Sequence, residues 1–193
     1  TDILRAHDRL HGTTLEQQKP VVCAACHGDP ALGMTGDPNL PMLSHAMHGA
    51  HASRMDGMGL DNVCYACHPG FRTQCQRDVH SSHGVECTDC HGGMAQVGDP
   101  ARTPWVQEPS CGGCHARQGF EFEQPDTLFR KSRGHGGIAC LTCHGSPHAI
   151  TPTTTEVDNV QSMRVQGHAG VIDDCLVCHT RRPEDAFKHK LFD

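Results

Sequence analysis

Twelve of the thirteen cysteines in this 193-residue chain fall into one short pattern that occurs six times. The units are Cys23-Ala-Ala-Cys26-His27, Cys64-Tyr-Ala-Cys67-His68, Cys87-Thr-Asp-Cys90-His91, Cys111-Gly-Gly-Cys114-His115, Cys140-Leu-Thr-Cys143-His144 and Cys175-Leu-Val-Cys178-His179. Only Cys75 stands outside them. Their first cysteines are separated by 41, 23, 24, 29 and 35 residues, so the units are not the evenly stacked repeats of a solenoid. They are one local signal carried on irregular spacers.

Four chemistries use closely spaced cysteines. A thiol redox site needs one Cys-x-x-Cys pair on a βαβ scaffold, and this chain has six pairs and no βα alternation. Structural zinc pairs two such units into a four-ligand site, but has no need of a histidine fixed directly after the second cysteine. A secreted disulfide framework gives no role to imidazole, and this chain has 17 histidines. The fourth is covalent haem. Two thiols three positions apart bond the vinyl groups on one edge of a porphyrin, and the next histidine reaches the iron from below. Only this chemistry uses every part of the unit, and it predicts six covalently bound c-type haems.

The remaining composition agrees. Six Phe, one Trp and one Tyr stand against 21 Gly and 12 Pro, too few large apolar side chains for a chain of this length to fill its own interior. The macrocycles are expected to fill it instead. The spacers "HPGFRTQ", "GDPARTPWVQEPSCGG" and "ITPTTTEVDN" are rich in turn residues and read as loops. "TPTTTEVDNV" has local β character, but its Pro and polar run favour a surface loop. Helices are expected over 3–11 and 14–19, interrupted at Gly12, over 183–191, and as short turns at each unit. The predicted fold is a single domain, 1–193, irregular and mostly loop with a few short α-helices and little β, wrapped around a chain of six haems. Spacings of 23 and 24 residues leave no room for a folded layer between the second, third and fourth haems.

The sequence resembles the multihaem c-type cytochromes, and its six units match a hexahaem member, with the resemblance running from Cys23 to His179. The stretches "AMHGAHA", "CYACHPG", "GHGGIACLTCHGSPHAI" and "VQGHAGVIDDCLVCH" are similar to larger surface cytochromes of metal-reducing bacteria, including those that polymerise into extracellular filaments. The resemblance implies an extracytoplasmic protein, at the cell surface or outside the cell rather than in the periplasm. It also implies that other redox proteins or extracellular electron acceptors are its partners. A start at Thr1 with no basic and apolar leader is how a mature secreted protein looks.

Six unit histidines leave His7, His11, His45, His48, His51, His80, His83, His135, His148, His168 and His189, enough to give every iron a second imidazole. His48, His51, His83, His135 and His148 lie beside the units in Gly-flanked settings, and His7 completes the set; His80, His11, His168 and His45 are substitutes. His83 and His135 stand four and five positions before the next unit's cysteine, which favours both. Met34, Met42, Met47, Met55 and Met58 crowd the first spacer, where they read as packing rather than ligands.

Imidazole on both faces closes the iron to substrate, so the expected role is electron transfer rather than catalysis. Two forms stay open: a carrier, or a subunit of a homopolymer in which His7 and His11 ligate a neighbour's iron. The rival from another class is a reductase of nitrite, hydroxylamine or a sulfur oxyanion with one open haem, although none of the six units carries the altered motif such enzymes use. The chain's net charge is −6, and propionates and ferric cores would bring the holoprotein to roughly −12. No basic run interleaved with aromatics suggests nucleic acid, and no apolar stretch is long enough for a transmembrane helix.

Overall fold

The computed structural model describes residues 2–116, 123–124, 126–184 and 189. Among them lie seven helices: α1 Asp2–His11, α2 Leu43–Met55, α3 Val79–Ser82, α4 Cys87–His91, α5 Met94–Val97, α6 Cys140–His144 and α7 Glu156–Gln166. Short 3-10 turns and loops make up the rest. β structure among the described residues is limited to two isolated bridges, Asp29 with Met34 and Arg133 with Ala139. The expected loop-rich chain with short helices is the one found.

α1 forms where the sequence predicts it. Asp2 lies in the first turn, Arg9 and His11 in the last, in register with the helix dipole. Gly12, at φ +65°, ends it in a conformation that glycine adopts without cost. The 14–19 segment is a single 3-10 turn, Leu15–Gln18, rather than an α-helix. The helix expected over 183–191 falls largely outside the described residues.

The loop expected over 151–160 is corrected in its second half, because α7 starts at Glu156. Acids at Glu156 and Asp158 suit a helix start, and Gly167 closes the far end with a left-handed cap. No apolar stripe announces the helix: Val157, Val160, Met163 and Val165 are all exposed. It is held by polar bonds at its first turn. The Asn159 carboxamide bonds the Thr153 N–H at 3.0 Å and the Thr153 carbonyl at 2.9 Å.

Two contacts between distant segments organise the chain. α2 crosses α5 backbone to backbone at Gly49 and Gly98, so closely that a Cβ on Gly98 would lie 2.5 Å from the Gly49 nitrogen. Residues 77–79 also lie along 148–154. The Arg77 N–H donates to the His148 carbonyl (3.0 Å), the Val79 N–H to Ile150 (3.0 Å) and the Thr154 N–H to Arg77 (2.9 Å). The Arg77 guanidinium forks onto the Asp158 carboxylate and fastens α7 to the same strip.

The interior is not built from apolar side chains. Among the described residues only Ala24 and Ala149 are buried hydrophobics, while Ile3, Leu10, Val22, Leu32, Phe71 and Trp105 are exposed. The polypeptide exposes 13463 Å², about one and a half times the roughly 9,000 Å² expected for a compact chain of 20.9 kDa. Its own residues do not cover one another, and the fold requires another apolar body against which they pack.

Candidate metal centres

All six Cys-x-x-Cys-His units form a turn of helix, as their sequence predicts. Two are the helices α4 and α6; four are 3-10 turns beginning at Cys23, Cys111 and Cys175 and, in the second unit, at Val63 just before Cys64. In these four the carbonyl of the first cysteine accepts the N–H of the second cysteine at 3.2 Å and of the histidine at 2.8–2.9 Å. Local side chains fix the turns from outside. Asn62 accepts the Cys64 N–H (3.0 Å), Asp174 the Leu176 N–H (3.1 Å), and Glu123 the Cys111 and Gly112 N–H groups (2.9 and 3.2 Å).

Each unit histidine faces one further histidine. Ring centroids are 6.2 Å apart for His27 and His7, 5.9 Å for His68 and His48, and 6.2 Å for His91 and His148. They are 5.8 Å apart for His115 and His80, 5.9 Å for His144 and His189, and 5.9 Å for His179 and His135. The interplanar angles run from 1° to 76°. Rings that pack directly change their separation with their angle, from edge-on to offset-stacked. A separation that holds while the twist changes is compatible with one atom held between two ring nitrogens. Two bonds of about 2 Å to a metal and two ring radii of about 1.2 Å place collinear centroids about 6.4 Å apart, slightly beyond the 5.8–6.2 Å found.

Of the predicted second histidines, His7, His48, His135 and His148 each face a unit histidine. His51 and His83 face none among the described residues, and His80 and His189 stand in the two places left. His83 caps the C-terminus of α3, its N–H bonded to the His80 carbonyl at 3.0 Å. His45 turns its Nε2 to the Arg102 carbonyl at 2.8 Å. His11 lies beside His7, centroids 4.7 Å apart, and His168 beside Asp173 at 3.5 Å.

Hydrogen bonds at the other ring nitrogen define the tautomer. A carbonyl oxygen only accepts, so His27 Nδ1, 2.8 Å from the Pro41 carbonyl, carries the proton, as does His48 Nδ1, 2.8 Å from Ser44. Nε2 is then the free donor atom, the arrangement that orients metal-bound imidazole. His7 Nδ1 lies 2.9 Å from Thr13 Oγ1, and that hydroxyl donates to Asp8 at 2.6 Å. His80 Nδ1 lies 3.4 Å from the buried Asp78 carboxylate. Burial, and then the facing His148, hold His91 below the ordinary imidazole range; burial, and then His189, do the same for His144. Both effects favour the neutral ring that a metal takes.

These donors fit a porphyrin better than the alternatives. No group of three or more His, Cys, Asp or Glu converges among the described residues, whereas a structural zinc site takes four protein ligands. Two imidazoles suffice when a macrocycle supplies the other four nitrogens. Burial pushes the thiols of Cys64, Cys90 and Cys140 upward, and burial and then Glu123 push Cys111 to about 12, opposite to the lowered thiol of a redox Cys-x-x-Cys. Ile3 and Leu10 flank His7 along one face of α1, both exposed, which suits a flat apolar ring lying against that face.

Comparison with known proteins agrees. Residues 94–145 match the family described as cytochrome c554 and c-prime. The chain is also similar to the "C-type polyheme cytochrome OmcB" of two strains of Geobacter sulfurreducens, with 28% identity over 107 residues. That stretch is 47% of this chain and only 14% of the relative, so the chain spans a small part of the curated proteins it matches. No solved structure matches it. A helical turn at every unit and an imidazole opposite every unit histidine agree with both comparisons, in which the matched stretches of this chain are similar to c-type cytochromes.

Proposed function

We propose that the chain is a six-haem electron relay in which each iron is closed on both faces by imidazole. Cys23 and Cys26, Cys64 and Cys67, Cys87 and Cys90, Cys111 and Cys114, Cys140 and Cys143, and Cys175 and Cys178 hold the six macrocycles. Each haem would be held by one pair of facing histidines: His27 with His7, His68 with His48, His91 with His148, His115 with His80, His144 with His189, and His179 with His135. The observation that supports this reading is the common separation of 5.8–6.2 Å between the six ring pairs.

When bound, each haem supplies a one-electron couple, and two-imidazole ligation keeps it low-spin at low potential. The chain's residues do the rest. The cysteines tether the porphyrin edge, the histidines fix ring and iron, and the close spacing of units brings neighbouring macrocycles within reach of one another. Irons held in this way would keep no free position, which argues against the reductase reading and for a carrier without substrate chemistry. One domain spanning 1–193 suits the interlocking of pairs, because His148 after the fifth unit serves the third.

The partners are redox proteins or extracellular acceptors, and the place is outside the cytoplasm, as c-type haem attachment requires. No helix among the described residues is long and apolar enough to cross a membrane. His7 faces His27 of its own chain, so the six pairs are complete without a neighbouring molecule. This favours a carrier over a filament that depends on shared ligands. Intact mass of the native protein tests the proposal together with its resting spectrum: six haems, all low-spin, are expected. Fewer haems, or a substantial high-spin component, would reject it.

A further inference from the structure

Among the described residues, the Nδ1 of one of these histidines is connected to a carboxylate through a hydroxyl. His7 Nδ1 lies 2.9 Å from Thr13 Oγ1, and Thr13 Oγ1 lies 2.6 Å from Asp8 Oδ1. Asp8 is held in place independently: its carboxylate also accepts the N–H of Leu15 at 2.7 Å and of Glu16 at 3.0 Å. A carboxylate only accepts, so the Thr13 proton points to Asp8, and the hydroxyl lone pairs are left to accept from His7 Nδ1–H. The direction of the whole chain is thereby fixed.

The partner of His7 is unlike those of His27 and His48, whose Nδ1 protons go to the neutral carbonyls of Pro41 and Ser44 at 2.8 Å. A bond that ends on an anion is stronger than one that ends on a carbonyl, and hydrogen bonds in series polarise one another. Electron density pushed onto imidazole raises its basicity toward a metal and stabilises the more highly charged ion.

We propose that Thr13 is a positioning residue that couples the Asp8 carboxylate to His7 and thereby lowers the potential of the haem on Cys23 and Cys26. This rests on the axial pairing of His7 with His27 proposed above. The site at the chain's beginning is biased toward its oxidised form relative to one backed by carbonyls alone. It receives electrons last from a common donor and yields them first to an acceptor.

The test is a redox titration of the holoprotein followed through individual haem methyl resonances, in the native chain and in Thr13→Val and Thr13→Ser. Valine keeps the shape and removes the link, whereas serine keeps the link. At fixed solution potential the oxidised-to-reduced ratio of the first haem should fall about tenfold in Thr13→Val, a rise of 59 mV for a one-electron couple. It should return to the native value in Thr13→Ser, with every haem low-spin in both. A low-spin Thr13→Val protein with unchanged potential, or a serine variant that shifts as far as valine, would overturn the inference. His7→Ala separates the underlying reading: if that variant leaves the first haem low-spin, the pairing itself is wrong.

Discussion

His148, which follows the fifth Cys-x-x-Cys-His unit, faces His91 of the third across 6.2 Å between ring centroids. Fifty-odd residues separate them, and the strip that joins 77–79 to 148–154 holds them together. The same strip carries His80, which faces His115 of the fourth unit at 5.8 Å. One short ladder therefore places two of the histidines proposed as second ligands. Replacing His148 by Ala should convert one haem equivalent to high spin and leave the others low-spin, read by electron paramagnetic resonance of the oxidised protein. An unchanged low-spin spectrum would remove His148 from the ligand set.

The Arg77–Asp158 pair gives the ladder a pH dependence. The guanidinium hydrogen bond holds the Asp158 carboxyl below its ordinary value, so the charged form is favoured in the fold. Its contribution is full above the ordinary carboxylate range near about pH 4 and is lost as pH falls through the lower folded value. Asp158→Asn should unfold at lower temperature than the native chain at neutral pH, and the gap should close in acid. A gap that is constant through the acid range would show that the charge plays no part.

Gly98 sets the position of His48. A Cβ there would lie 2.5 Å from the Gly49 nitrogen and 3.0 Å from the His48 carbonyl carbon, both backbone atoms that cannot turn aside. Gly98→Ala should force α2 from α5 at a cost on the order of 1–3 kcal/mol. It should also loosen the His48–His68 pair, seen as a partly high-spin second haem and a lower melting temperature. Full retention of both would show that the crossing relaxes freely.

A chain whose buried hydrophobics among the described residues are Ala24 and Ala149 should depend on its cofactors for stability. Polypeptide made without haem attachment should lose most of its helical circular dichroism and be cut rapidly by protease, while the holoprotein resists. An equally resistant haem-free chain would contradict the packing argument.

The residues proposed to hold haem within each unit were legible in the sequence; those proposed to act across the fold were less so. Each Cys-x-x-Cys-His unit dictates its own turn, and each forms one. His48, His135 and His148 could be ranked by nearby Gly and by the adjoining units, whereas His7 only completed the count. His83 was favoured over His80 for its distance from Cys87, yet among the described residues its ring faces no unit histidine, and His80 looks instead to His115 in a different unit. His189 faces His144, 45 positions earlier, a pairing that no local spacing announces. α2 hides behind Gly49 and a polar run, although His45, His48 and His51 recur every three residues as one helix face allows. α7 was read as loop because an apolar stripe is the usual helix signal and this helix is anchored by side-chain polar bonds instead.

The most direct test is a density map of the native holoprotein that resolves both axial ligands of every iron. Six haems should be found, with His7, His48, His148, His80, His189 and His135 opposite the six unit histidines, all from one chain. An iron bound by methionine, left open, or ligated by a neighbouring molecule's histidine would contradict the account.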